Sequence, residues 1–452
     1  MLRDSTICPL EWRYGSSSMR ALLSRENFIK KMISVEIALL LGLAKAGLIP
    51  RDIAQKVREL SIDVSTEKLE KLERELGHEV MALVTMLSEQ LGEASKYLHI
   101  GATSNDIIDT AWALILKEAL STVKSKLREL IEILMILVNE YRDLIMIGRT
   151  HGQHALPITL GFKLANYVYE FSRSYERICE VEKRVVRGKI SGAVGTMAAW
   201  RDKGLLVEKY TLEILGLEPH IISTQIAPRD GFAELITTLA ILASQLDRLA
   251  LEIRELMRPE ILELAESVES RVGSSTMPHK QNPVICERIS GLAKVLRSLV
   301  ITALENIPLW HERDLTNSSS ERIVIPHTLM IIDEMLNSMI SVLKNLKVYP
   351  ENMKKNLKLL RGVNMAEAVM ISLVIDKGIA RNIAYNHLMY LARKAISEGK
   401  EFEEILKNDE LIRKYLTEKE LKQILRPENY LGSINELINR SLDYARSILK
   451  RL

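Results

Sequence analysis

From Phe232 to Leu256 the chain reads FAELITTLAILASQLDRLALEIREL, in which Phe232, Leu235, Leu239, Leu242, Leu246, Leu249, Ile253 and Leu256 recur at alternating spacings of three and four. On a helix those positions form one continuous apolar seam, and a seam of that kind needs a helical partner. A helix of about 28 residues is about 42 Å long, more than a compact single-domain core requires. Outward from this stretch the helical period covers roughly residues 103–141, 159–188, 229–258, 283–305 and 321–346. Strand-like alternation bounded by turn residues is nearly absent, so no sheet is expected. The expected fold is all-α, with an elongated central bundle of long helices over residues 102–361. Smaller helical domains are expected on either side, at residues 1–101 and 362–452. The first holds a helix from Met19 to Ala46, closed by Gly47 and Pro50, and a second from Ser65 to Leu91 with Gly92 beyond it. After Gly362 the helices shorten, with charged linkers such as Glu398-Gly399-Lys400-Glu401. Long helices of this kind predict packing against further copies of the chain.

A chain of 452 residues can bury a large core, and 47% hydrophobic with 27% charged residues is the composition of a soluble globular protein. Its 62 basic and 59 acidic side chains leave a net charge of +3, which gives no global argument for nucleic acid or an anionic membrane as partner. Cys8, Cys179 and Cys286 lack metal-ligand spacing and read as reduced thiols of a cytoplasmic protein. Met1 to Trp12 carries Arg3, Asp4 and Glu11 and has no apolar core of a signal peptide. No uncharged apolar run approaches the ~18–20 residues that cross a bilayer.

Polar segments fall at the ends of the long helices, where loops can converge on a site. Arg13-Tyr14 precedes Gly15-Ser16-Ser17-Ser18 and the first helix. His78 stands mid-helix beside Gly77 in the expected Ser65–Leu91 helix. Thr103 and Asp106 make a Thr-x-x-Asp capping pattern, and Thr103 and Ser104 at a helix N-terminus can cradle a carboxylate or phosphate. Gly148-Arg149-Thr150-His151-Gly152-Gln153-His154-Ala155-Leu156-Pro157 holds two histidines three apart, but no third ligand at metal spacing. A histidine in a loop framed by Gly and Pro suits proton transfer near neutral pH. Ser191-Gly192-Ala193-Val194-Gly195-Thr196 is Gly-rich but lacks the Lys-Ser/Thr of a nucleotide-binding loop. Ser223 to Asp230 supplies the amide of Gln225, and Trp310 to Arg322 brings Arg313, Ser318 and Arg322 together as a phosphate-binding set. Gly273-Ser274-Ser275-Thr276-Met277-Pro278-His279-Lys280-Gln281-Asn282-Pro283 combines hydroxyls, a Lys and an amide on one loop, a set that stabilises negative charge.

That last stretch resembles the signature loop of the fumarase/aspartase superfamily, Gly-Ser-Ser-x-Met-Pro-x-Lys-x-Asn-Pro. Residues 310–322, with Thr150–His154 and Ser223–Asp230, narrow the resemblance to the adenylosuccinate lyases, and it runs from Arg13 to the C-terminal domain. Argininosuccinate lyases and carboxymuconate cycloisomerases are similar in the Ser loop but differ after it. This chain departs from the family at Gly77 and Glu79, where a basic residue and Asp usually flank the His, and at Gln281, where Arg is common.

The resemblance implies β-elimination of fumarate from adenylosuccinate, giving AMP, and from SAICAR, giving AICAR. It makes Ser274 the base and His151 the acid. Thr103, Ser104, Gln225, Ser275, Lys280 and Asn282 would hold the succinyl carboxylates, and Arg13, Tyr14, Arg313, Ser318 and Arg322 the nucleotide end. His78, with Glu79 beside it, would grip the substrate or assist the acid. No metal and no organic cofactor is implied. The expected assembly is a homotetramer whose sites each draw on three subunits. The alternatives are another fumarate-releasing lyase of the superfamily, or a non-catalytic, crystallin-like scaffold that would have lost Ser274 or His151.

Overall fold

The computed structural model describes residues 7–58, 62, 64–267, 277 and 279–451. Helices α1 (Ser17–Leu22), α2 (Arg25–Lys45), α3 (Arg51–Arg58), α4 (Thr66–Leu76) and α5 (Glu79–Ser88) open the chain. They are followed by α6 (Ser104–Glu140), the strands β1 (Ile145–Thr150) and β2 (Gln153–Thr159), α7 (Leu160–Val185) and α8 (Gly204–Leu215). Then come α9 (Asp230–Leu256), α10 (Val284–Glu305) and α11 (Thr316–Lys344), and shorter helices from Pro350–Leu357 to Ile434–Arg451. The fold is all-α, and the seam from Phe232 to Leu256 is buried along its whole length.

The chain falls into two compact units: residues 1–128, 174–247 and 289–338, and residues 129–173, 248–288 and 339–452. The divisions fall within α6, α7, α9, α10 and α11. The first unit has a core built on α2, α5 and α8, centred on Ile29, Met32, Leu39, Leu43, Leu83, Leu87 and Val207. In the second, the helices after Gly362 enclose a core of Val369, Leu373, Leu388, Leu391, Phe402 and Leu406. By length and composition α11 is apolar enough to cross a membrane, but 72% of that window is buried inside the protein.

Three expectations are corrected. The helix expected from Ser65 to Leu91 is two helices, α4 and α5. Gly77 ends the first in the left-handed region at φ 64°, and His78 caps the second by accepting a hydrogen bond from the Met81 amide. His78 is therefore a helix N-cap, not a mid-helix residue. The helix expected from Met19 is likewise divided, with Ser24 capping α2.

The expected absence of sheet fails at residues 145–159. β1 and β2 pair antiparallel, from Ile145 opposite Thr159 to Thr150 opposite Gln153, with an irregularity between Ile147 and Arg149. The two-residue turn is His151-Gly152, at φ 53° and 73°. Positive φ at both central positions is what a type I′ turn requires, and Gly adopts it without strain. His is among the side chains that tolerate it best. Two-residue ladders also join Arg187–Gly188 with Glu218–Pro219, and Leu264–Ala265 with Lys347–Val348.

Candidate active site

In the first unit, α6 begins where its sequence pattern expects. The Thr103 amide donates to Asp106 Oδ2 at 2.7 Å. The wholly buried Asp106 also accepts from Lys189 Nζ at 2.8 Å and from the amides of Ser191 and Gly192. One carboxylate thus fastens the Thr103-Ser104 helix start to the Gly-rich segment 191–196. Next to it, His78 Nε2 lies 3.4 Å from Ser104 Oγ. Because Nδ1 accepts the Met81 amide, the neutral ring carries its proton on Nε2, pointing at that hydroxyl.

A second network positions Gln225 and Arg313. Asp109 receives both amino groups of Arg229 at 2.8 and 3.0 Å and the Ala227 amide at 2.8 Å. Burial pushes the Asp109 carboxyl up, but the adjacent Arg229 guanidinium outweighs it and holds the group below the usual carboxylate range. Glu321 is 2.9 Å from Arg229 Nε, yet burial dominates there and raises its pKa. Gln225 donates to the Ala193 carbonyl at 3.2 Å and accepts from Arg313 at 3.3 Å.

Arg313, Ser318, Glu321 and Arg322 line a cavity of about 290 Å³ with Arg25 and Glu79, and Phe28 and Trp112 belong to its apolar lining. Ser318 and Arg322 lie on the first turns of α11, which starts five residues before the expected boundary at 321. Arg13 and Tyr14 do not line this cavity. Their segment is tied to α11 by hydrogen bonds from the Gly15 amide to Glu334 and from the Ser16 amide to Asp333, at 2.9 and 2.7 Å. The Arg13 guanidinium lies 5.8 Å from the Tyr14 ring centre.

The second unit carries His151, Lys280 and Asn282. His151 is exposed at the tip of the β1–β2 hairpin. The hairpin is anchored two residues earlier, where Arg149 makes two 2.8 Å bonds to the fully buried Glu263, which also accepts from Asn356 at 2.9 Å. His154, across from Arg149, is held below the ordinary imidazole range by burial and then by the Arg149 charge. Lys280 is exposed and Asn282 half-buried, just before α10. Glu266 caps that helix, accepting from the Ile285 and Cys286 amides at 3.0 and 2.9 Å. Ser274 and Ser275 lie outside the described residues.

Arg25, Arg149 and Glu263 were not among the residues expected in the site. A signal existed for Arg25: it stands in the first turn of α2, where the helix dipole disfavours a cation, so its placement asks for acidic partners. The partners, Glu73 and Glu79, come from other helices.

Comparison with known proteins bears on the whole chain. Residues 13–297 match a lyase family model, and residues 362–441 match the family model of the adenylosuccinate lyase C-terminus. The adenylosuccinate lyase of Pyrococcus abyssi is 47% identical over 98% of this chain and 99% of its own. That of Methanothermobacter thermautotrophicus is 45% identical over 98% of this chain and its own full length, 100%. Among solved structures, a fumarate lyase from Mesorhizobium sp. BNC1 superposes with a TM-score of 0.87 at 32% identity, covering 95% of this chain and 98% of that one. The 3-carboxy-cis,cis-muconate lactonizing enzyme of Pseudomonas putida also superposes at 0.87, with 28% identity over 97% and 99%. At this identity and coverage the chain is a carbon–nitrogen lyase, and it belongs to the adenylosuccinate lyase family.

Proposed function

We propose that this chain eliminates fumarate from adenylosuccinate, giving AMP, and from SAICAR, giving AICAR. The observation that carries the reading is the cavity of the first unit. Arg313, whose buried Nε has no hydrogen-bond partner among the described residues, shares it with Ser318 and Arg322, and two guanidiniums with a hydroxyl fit a phosphate. Full-length likeness to adenylosuccinate lyases supports the same substrate.

In this mechanism Ser274 takes the proton from the carbon next to a succinyl carboxylate. That pair of electrons forms the fumarate double bond, the carbon–nitrogen bond breaks, and its pair stays on nitrogen. His151 then protonates the departing nitrogen. The exposure of His151 at the hairpin tip is compatible with that role. A serine is a weak base, so its alkoxide and the charge developing on the carboxylate need fixed donors in a site closed to water. Each such donor typically contributes about 10²–10³ in rate. Lys280, Asn282, Ser275, Thr103, Ser104 and Gln225 are assigned to that role, with His78 and Glu79 at its margin and Arg13 and Tyr14 at the nucleotide end. Both proton transfers are done by side chains.

The proposed assembly is a homotetramer with three subunits contributing to each site. α9 and α10 leave Ile241, Leu251, Val295 and Ile301 exposed, apolar surface of the kind that copies of a chain cover. The three unpaired cysteines agree with a cytoplasmic location. The test is fumarate release from adenylosuccinate, SAICAR and argininosuccinate in parallel. Release from the first two alone is expected. Release from argininosuccinate instead makes the chain another lyase of the superfamily, and none from any of the three leaves a scaffold.

A further inference from the structure

Glu79 is only 8% exposed, and both its oxygens are taken by guanidinium groups. Arg25 bonds Oε1, and Arg322 donates to Oε2 at 2.7 Å. Arg25 is itself held at both terminal amino groups, because the second meets Glu73 at 2.9 Å. Arg322 is not: one amino group meets Glu79 while the side chain remains 59% exposed on the cavity that also holds Arg313 and Ser318. The asymmetry has a physical consequence. A carboxylate facing one arginine prefers the paired, two-bond geometry that satisfies both oxygens and most fully neutralises the guanidinium. By occupying Oε1, Arg25 restricts Glu79 to a single bond with Arg322. The remaining N–H groups of Arg322, and most of its charge, stay available to an anion.

We propose that Arg25 is a positioning residue for substrate phosphate: it draws off half of Glu79 and so keeps Arg322 in an anion-accepting state. The proposal rests on the reading that Arg313, Ser318 and Arg322 hold the phosphate. Arg25 touches no substrate in this account. It acts through Glu79, and Glu79 acts through Arg322.

Calorimetric binding of AMP and of adenosine to the full-length protein tests this, in wild type and in Arg25→Gln, Arg25→Lys and Arg25→Gln/Glu79→Gln. In Arg25→Gln, Glu79 closes on Arg322 with both oxygens, and AMP affinity falls about tenfold while adenosine affinity is unmoved. Arg25→Lys keeps a cation at Glu79 and stays within about threefold of wild type for AMP. The double variant releases Arg322 and regains most of the lost affinity, which no damage to packing would do. Unchanged AMP affinity in Arg25→Gln, equal losses for AMP and adenosine, or a double variant weaker than the single overturns the proposal. Arg313→Ala separates the two levels. If it too leaves AMP binding intact, the phosphate lies elsewhere and both readings fall. If it alone abolishes binding, only the role of Arg25 falls.

Discussion

His99 shows what one residue contributes beside the candidate site. It sits at φ 58°, four residues before Thr103, and its Nδ1 is 2.6 Å from the fully buried Glu36. Burial pulls the imidazole pKa down, but the hydrogen bond and charge of Glu36, with Asp106 beyond, outweigh it and the net shift is upward. A raised folded pKa means that the charged pair stabilises the fold fully below the unfolded value of about 6.5. The contribution is lost as pH rises through the folded value. The Tm difference between wild type and His99→Gln should therefore be largest on the acid side of about pH 6.5 and shrink towards pH 9. A difference that grows with pH would mean that the ring is neutral in the fold. Glu36 Oε2 has no partner among the described residues, so neutralising His99 leaves a poorly compensated buried carboxylate. None of this was legible in the sequence, where His99 and Glu36 stand 63 residues apart.

At the scale of elements, the β1–β2 hairpin sets where His151 is presented, and Arg149 with Glu263 sets the hairpin. Removing one partner of a buried pair leaves the other uncompensated, at a cost of about 3–5 kcal/mol. Arg149→Ala should lose roughly that much in denaturant unfolding, and Arg149→Ala/Glu263→Ala should recover part of it. Equal stability of the single variant and wild type would show that the hairpin is held by other contacts. The long helices were legible because one period of three and four persists over many turns, as from Phe232 to Leu256. The hairpin was not. Gly148, Gly152 and Pro157 read as loop residues, and the irregularity between Ile147 and Arg149 breaks the alternation that would mark a strand. The break between α4 and α5 was hidden for a related reason: Leu69, Val80, Leu83 and Leu87 bury in one core, so apolar residues recur on both sides of Gly77. The candidates His151 and Arg313 stand within short loop motifs, which can be read from local sequence alone. Arg25, Glu79 and Arg322 could not be joined, because their contact spans 54 and 243 residues.

At the scale of the whole molecule, the candidate residues are divided between units. Arg13, Tyr14, His78, Glu79, Thr103, Ser104, Gln225, Arg313, Ser318 and Arg322 belong to the first, and His151, Lys280 and Asn282 to the second. We propose that fumarate is eliminated at sites to which different copies of the chain bring Ser274 and His151. Ser274→Ala and His151→Ala should each fold and bind AMP yet lose turnover by several orders of magnitude, since each removes one proton transfer. The most direct measurement mixes the two inactive proteins, dissociates and reassembles them mildly, and follows fumarate release from adenylosuccinate. With random reassembly, about a quarter of the sites receive both wild-type residues, and activity should return towards that fraction of wild type. Verified hybrids that stay inactive, or a wild-type protein that is monomeric by light scattering, would contradict the account.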